Sequence, residues 1–468
     1  MNTSRQMRFL FVLSALALLI GACTNGTTQT TTAGGETPGT GGGTDLEGES
    51  VSVFAAFVDA EADAFEATVV PFEERTGIDV VYEGSADFPA QIGIRVEGGN
   101  PPDIAMFPQP GLWAQFSDEM VEFGSLGVDL EQMRAELSPY LVDLPGQVAE
   151  AVGRAPEVEG VYAGWFKLAT KSWLWIPTPE FEQAGYAVPA TWDELLSLTE
   201  QIKGDGNVPW CVGIDSAAAT GWVLTDWVED ILLRSAGPDV YDQWVRHEIP
   251  FNDPQVAEAV ALLGAIVFPE GNVLGGTDGI LATSFGDQNT PMFEDPPGCY
   301  LAKQASFIPA FFPGADTPDD ASDDVFGSNA AEQQTSAVAF PSIENDDEVL
   351  LGAGDLFGVF SDRPAVGELV KYLLSPEAGE EFARASSSYL SPNASFDSSN
   401  YLEPFQAQQG ALVAEALAAN GFRFDASDLM PAEVGASSFW SGMVRYIQEG
   451  PDSLQSVLDA IEASWPSG

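Results

Sequence analysis

Hydrophobic and polar positions along the chain fall into two rhythms. Residues 51–57, VSVFAAF, alternate and then turn apolar, the period-two pattern of a strand. The following AEADAFEATVVPFEERTG places Phe65, Val69 and Phe72 at i, i+4 and i+7, one face of a helix. Gly77 stands where a left-handed residue ends such a helix. IDVVYEG (78–84) reads as the next strand. A helix carrying Ile92 and Val96 follows, and PPDIAMF (101–107) reads as a third strand. This β-α-β-α-β alternation predicts a parallel sheet with helices on both faces.

The rhythm continues downstream. VYAGWFKLATKSWLWI (161–176) is apolar and aromatic, a strand pair or a crossing segment. Thr191 and Glu194 form a capping-box pattern, with Leu195, Leu198 and Ile202 on the apolar face behind it. Pro254 suits a first helical position, followed by Val256, Val260 and Leu263 on one face. PEAGEEFARA and DSLQSVLDAIEASW read as late helices, GAGDLFGVF (352–360) as a Gly-rich turn entering a strand, and the acidic stretch 314–334 as an exposed excursion. No internal repeat is found.

The first residues change the picture. Arg5 and Arg8 precede an apolar run from Phe9 to Ala22, about 14 residues and short of the roughly 20 that span a bilayer. A charged start, a short apolar stretch and small residues before a break describe a secretory signal over 1–22. The break, LIGAC, resembles a bacterial lipobox, which implies cleavage before Cys23 and a lipid on its sulfur. Residues 23–49 are rich in Thr, Gly and Ser and suit a flexible tether. With Cys23 lipidated, Cys211 and Cys299 remain, and in an exported chain they are expected to pair.

Composition narrows the partners. The chain has 71 acidic residues, 17 basic ones, one histidine and a net charge of −54. That charge argues against nucleic acid and against anionic ligands drawn in by field alone. The excess reads as a solvated surface suited to a medium of high ionic strength. No acidic run has the loop spacing of a calcium site, and no metal or cofactor is expected. The mature chain, about 440 residues, has room for two lobes.

Several segments carry a resemblance: FEERTGIDVVYEG, GNPPDIAMFPQPG, WCVGIDSAAATGWVLTDWVEDILLR, PPGCYLAKQASF and FDASDLMPAEVG. They are similar to the carbohydrate-binding branch of the family-1 extracellular solute-binding proteins, and within it to the alpha-glucoside-binding group. The resemblance runs from about residue 50 to the end. It implies an α/β, two-lobed periplasmic-binding-protein-like fold of type II, each lobe a mostly parallel sheet flanked by helices, with a hinge of several segments. The expected division is 50–166 with 346–390 in the first lobe and 167–345 with 391–468 in the second. It also implies a lipid-anchored monomer on the outer face of the cytoplasmic membrane, extracellular or periplasmic. Its ligand would be a neutral sugar, an alpha-glucoside di- or oligosaccharide, delivered to the permease subunits of an ABC importer.

A neutral sugar offers hydroxyls and apolar C–H faces, so its site needs flat aromatic platforms beside hydrogen-bonding groups. Open α/β sheets present such groups past the carboxyl ends of strands. This rule selects Ser85, Asp87 and Phe88 after the second strand and Gln109 after the third. For Phe88 core packing stays open, and for Asp87 a helix cap. Asp355 in the Gly-rich segment could accept from hydroxyls or belong to a plain turn. Lys171 and Trp175, with Lys167 and Trp173, lie at the expected crossing, where the lysines could brace the hinge or meet the ligand. Trp440 could reach the cleft or pack a helix.

In TGWVLTDWVEDILLR, helical phase puts Leu224, Trp227, Val228, Ile231 and Leu232 on one stripe. Trp222 falls about 160° from Leu224, with Asp226 beside it at i+4. Trp222 could therefore be a platform, or could pack under a neighbouring loop.

An exported glycoside hydrolase is the competing class, and a structural lipoprotein a third. A hydrolase needs two carboxylates across the scissile bond, which acid count cannot reveal. There is no G-x-S-x-G elbow, H-E-x-x-H is impossible with one histidine, and His247 in VRHEIP has nothing tying it to a cysteine. A binder rather than an enzyme is expected.

Overall fold

The computed structural model describes residues 46–151, 154, 160–313, 335–344, 349–393, 395–401 and 403–466. The signal segment, Cys23, most of the tether and the acidic stretch 314–334 lie outside the described residues. No helix among the described residues is long and apolar enough to cross a membrane.

Strand β1 (Ser50–Ala55) pairs in parallel with β2 (Asp79–Gly84) and with β3 (Ile104–Phe107), as the alternation predicts. Helix α1 (Asp59–Thr76) buries Phe65, Val69 and Phe72 and ends at Gly77, whose φ of 71° is left-handed. Helix α2 (Phe88–Glu97) buries Ile92 and Val96. Asp103, at the mouth of β3, accepts from Ser52 and from Arg363 and plays a structural part.

Residues 161–176 split between two sheets. Strand β4 (Gly164–Thr170) closes the first, and β5 (Trp173–Pro177) begins the second. In the second, β5 lies between β6 (Ala302–Lys303) and β7 (Thr335–Ala339). Strand β8 (Leu350–Val359) then returns to the first sheet between β3 and β4, and β9 (Phe422–Phe424) adds to its start.

Four expectations are corrected here. The second sheet is antiparallel throughout its described pairings, because that lobe's core is built mainly from helices and needs no βαβ crossovers. Residues 352–359 are part of a buried strand rather than a turn. Their glycines answer neighbours across the sheet: a Cβ at Gly354 would lie 2.6 Å from the Lys167 carbonyl oxygen, and one at Gly352 2.2 Å from the Phe422 ring. Lys167 sits inside β4, opposite Asp355, so the chain leaves the first sheet only after Thr170. Finally, Tyr401, Val413, Phe422 and Phe424 pack in the first core, although the expected division put 391–468 in the second lobe.

Each lobe has its own apolar core. The second is framed by helices Trp192–Gly204, Trp222–Ala236, Pro254–Val267 and Trp440–Glu449. The capping box at Thr191 and Glu194 is formed, and Pro254 opens its helix. Cys211 and Cys299 form a disulfide with Cα atoms 5.6 Å apart, across 88 residues of chain.

Trp227 anchors the second core. It is 1% exposed and packs edge-on to Trp210 at 5.1 Å and to Phe340 at 5.7 Å between ring centroids. Trp227→Ala removes most of that side chain without a way for the helix to collapse. It is expected to lower the free energy of unfolding by about 3–5 kcal/mol, measured by urea denaturation.

Candidate functional site

A cavity of about 190 Å³ lies where the two cores meet. The first lobe gives it Phe57 and Glu61 at the start of α1, Gln109 after β3, Lys167 on β4 and Asp355 on β8. The second gives it Trp222, Phe285, Phe307, Phe311 and Trp440. Lys171, between β4 and β5, and Asp425, Ser427 and Asp428, just past β9, also line it.

Local sequence explains how these groups meet. Gly221 precedes helix Trp222–Ala236 with φ 112°, and a Cβ there would lie 2.3 Å from the Trp440 carbonyl oxygen. Glycine therefore lets the two tryptophan segments touch and share one wall. Trp222 is the least buried residue of its helix's first two turns. It lies 5.3 Å from Phe285 and 6.0 Å from Phe307 between ring centroids, with Lys171 Nζ 5.2 Å from its ring. The rest of that helix is buried on all sides from Val223 to Arg234, acids included.

Those acids hold the neighbouring wall. Glu229 accepts from the backbone N–H groups of Ala426 (2.9 Å) and Ser427 (3.1 Å), capping the short helix Ala426–Leu429. Asp425 accepts from Ser427 Oγ (2.7 Å), from the Asp428 N–H (2.9 Å) and from Lys171. Trp440 Nε1 donates to Ser427 Oγ at 3.3 Å. Asp226 accepts from Lys171 Nζ at 2.8 Å, and Lys303 and Arg234 lie against Asp230. Asp226, Glu229 and Asp425 converge closely enough to hold a metal ion, but the Lys171 ammonium already supplies the positive charge there.

Burial disfavours every charge in this cluster, and pairing decides which survive. Burial works against the Lys171 ammonium, yet Asp226 and Asp425, both within hydrogen-bond distance of it, hold its pKa well above the usual lysine value. Burial likewise works against ionised Asp425, but Lys171 and several hydrogen bonds pull it down to about 2. Burial and the Asp425 anion push Glu229 and Asp428 well above the carboxylate range. On the other wall Lys167 donates to Glu61 at 2.6 Å and lies 3.7 Å from Asp355. Burial raises Asp355 to about 6, against the pull of Lys167.

Of the residues selected from sequence, Gln109, Lys171, Trp222, Asp355 and Trp440 line this cavity. Asp226 lies behind them, acting through Lys171. The others are placed elsewhere. Phe88 is fully buried between Phe54 and Phe107, so its apolar ring packs in the core instead of facing the cavity. Asp87 is exposed and Ser85 accepts from the Asp87 N–H and from Gln91 in the same turn; only Ala86 of that segment reaches the lining. Trp175 is buried against Phe312 and Phe405 and donates to the Gln304 carbonyl.

The sequence reading did not select Phe57, Glu61, Phe285, Phe307, Phe311, Asp425, Ser427 or Asp428. Scarcity was the available signal for Asp425 alone: three of five lysines (167, 171 and 303) are buried, and each needs acids near it.

A larger hollow of about 380 Å³ lies between β5, β7 and the helix Pro404–Ala418, lined by Ser172, Trp173, Arg234, Phe340 and Leu412 among others. Its one buried cation, Arg234, is already paired with Asp230. The smaller cavity combines edge-on and tilted rings with an unengaged polar group, Gln109 Oε1, and is the better candidate.

The profile of the bacterial extracellular solute-binding protein family matches residues 48–380, and the chain belongs to that family. It is 41% identical over 433 residues to the osmoprotective compounds-binding protein GgtB of Synechocystis, covering 92% of this chain and 95% of that one. It is 35% identical over 428 residues to the alpha-glucosides-binding periplasmic protein AglE of Rhizobium meliloti, covering 91% and 89%. Among solved structures, the bacterial solute receptor AcbH superposes with a TM-score of 0.71 at 15% identity, covering 89% of this chain and 98% of that one. RafE in complex with raffinose superposes at 0.64 and 17% identity, covering 88% and 98%. These likenesses show the two-lobed fold of type II.

The site makes a pH prediction through Asp355. Its folded pKa of about 6 stands above the ordinary 3.8, so the folded chain keeps a proton that the unfolded chain has lost. The unfolded state then binds fewer protons, and stability falls as pH rises from about 4 to 6. The loss expected from this group is about 2–3 kcal/mol. Denaturation free energies across that range should show the slope in the wild type and a flatter curve in Asp355→Asn.

Proposed function

We propose that this chain captures a neutral sugar, an alpha-glucosidic di- or oligosaccharide, and hands it to the permease of an ABC importer. The observation that carries the reading is the composition of the cavity. Six aromatic rings (Phe57, Trp222, Phe285, Phe307, Phe311 and Trp440) stand with Gln109, Asp355 and Asp428 around one space. Rings meet the C–H faces of a sugar, and carboxyl and amide groups meet its hydroxyls. The alpha-glucoside assignment is supported by the name of the relative AglE and by the extent of its match.

In this reading Trp222 and Trp440 are platforms, and Gln109, Asp355 and Lys171 are polar contacts or their supports. Binding draws the lobes together around the ligand, and the affinity difference between open and closed states drives the closure. The chain performs no chemistry on the sugar. It works as a monomer tethered outside the cytoplasmic membrane through lipid on Cys23.

Calorimetric titration with maltose, trehalose and sucrose tests the reading. Saturable binding of at least one, with a raised melting temperature, is expected. Silence from all three would contradict the specificity, and steady release of cleaved sugar would contradict a binder. Trp222→Ala should weaken that binding about tenfold or more while costing less stability than Trp227→Ala.

A further inference from the structure

We infer that Asp428 and Gln109 together read the hydroxyls of the ligand, and that Asp428 is a specificity-determining residue of the cavity. The inference rests on the sugar reading above and goes beyond it by naming the groups that discriminate.

Asp425 and Asp428 stand three apart on one short turn, and the fold uses them differently. Asp425 is consumed by the scaffold, accepting from Ser427, the Asp428 N–H and Lys171. Asp428 is 5% exposed and lines the cavity, yet its carboxyl makes no hydrogen bond or ion pair among the described residues. Gln109, just past β3, repeats the pattern. It is 8% exposed, and its Oε1 has no hydrogen-bond partner among the described residues.

The two segments touch. A Cβ at Gly111 would lie 2.1 Å from the Met430 carbonyl oxygen and 3.1 Å from that of Asp428, so glycine lets the turn after β3 rest directly on 428–430. Two buried, unengaged polar groups thus come from abutting segments of different chain regions and line one cavity.

Leaving such groups unpaired is costly, and a fitting ligand recovers that cost. The Gln109 oxygen can only accept. Burial and the neighbouring Asp425 anion raise the Asp428 carboxyl well above the usual carboxylate range, and in its protonated form it can donate as well as accept. A hydroxyl, which also does both, satisfies either group. A ligand lacking the matching hydroxyl leaves a buried polar group stranded and is rejected.

The test uses whichever of maltose, trehalose and sucrose the wild-type chain binds most tightly, together with its monodeoxy analogues, titrated into the wild type and variants. Asp428→Leu should weaken the parent sugar about tenfold or more and erase the discrimination against one deoxy position. Asp428→Asn, which keeps a donor and an acceptor, should stay within about threefold of the wild type. Gln109→Leu should erase discrimination at a hydroxyl of its own.

Unchanged parent affinity in Asp428→Leu, or the same deoxy discrimination, would overturn the inference while leaving the sugar reading intact. A wild type that binds none of the three sugars would overturn both. Because discrimination is a ratio within one variant, loss of fold does not imitate it.

Discussion

The ammonium of Lys171 is the interaction on which the rest of the structure depends. It sits where the chain leaves the first sheet for the second, and it pairs with Asp226 of the second lobe and Asp425 beside β9. Removing one partner from a buried ion pair strands the other in low dielectric, which typically costs more than the pair gained. The cluster therefore tolerates one arrangement of its three chain segments. In a chain with 17 basic residues against 71 acidic ones, committing Lys171, Lys303 and Arg234 to one buried group is a large share of the available positive charge.

From that charge the cavity follows in steps. Lys171 ionises Asp425, and Asp425 with Glu229 caps the turn that carries Ser427 and Asp428. Ser427 receives the Trp440 indole N–H, and Gly221 lets Trp440 lie against the start of the helix bearing Trp222. The same lysine lies 5.2 Å from the Trp222 ring. Aromatic wall and acidic wall are thus set by one buried network, which favours a preorganised site over one that forms on contact.

Much of this was legible in the sequence, and the failures share a cause. Periodicity located β1, β2, β3, their helices and the capped helices of the second lobe, because those patterns are local. The segment GAGDLFGVF misled because its glycines serve Phe422, Lys167 and Met120 on other elements, not a turn of their own. Asp226 fell off the apolar stripe, beside Trp222, and a helical wheel cannot show that Lys171 engages it in the buried interior. Phe88 passed the geometric rule for strand ends but faces inward, since the first residue of a helix can point into the core as easily as away. The family resemblance supplied what periodicity could not: that two lobes would face each other across a site.

The most direct measurement is the crystal structure of the chain with its tightest-binding sugar. The sugar is expected between the lobes, with a ring face on Trp222 or Trp440 and hydroxyls within hydrogen-bond distance of Asp428 and Gln109. A sugar in the hollow beside Trp173 and Arg234, or one held without contact to any of these four residues, would contradict that expectation.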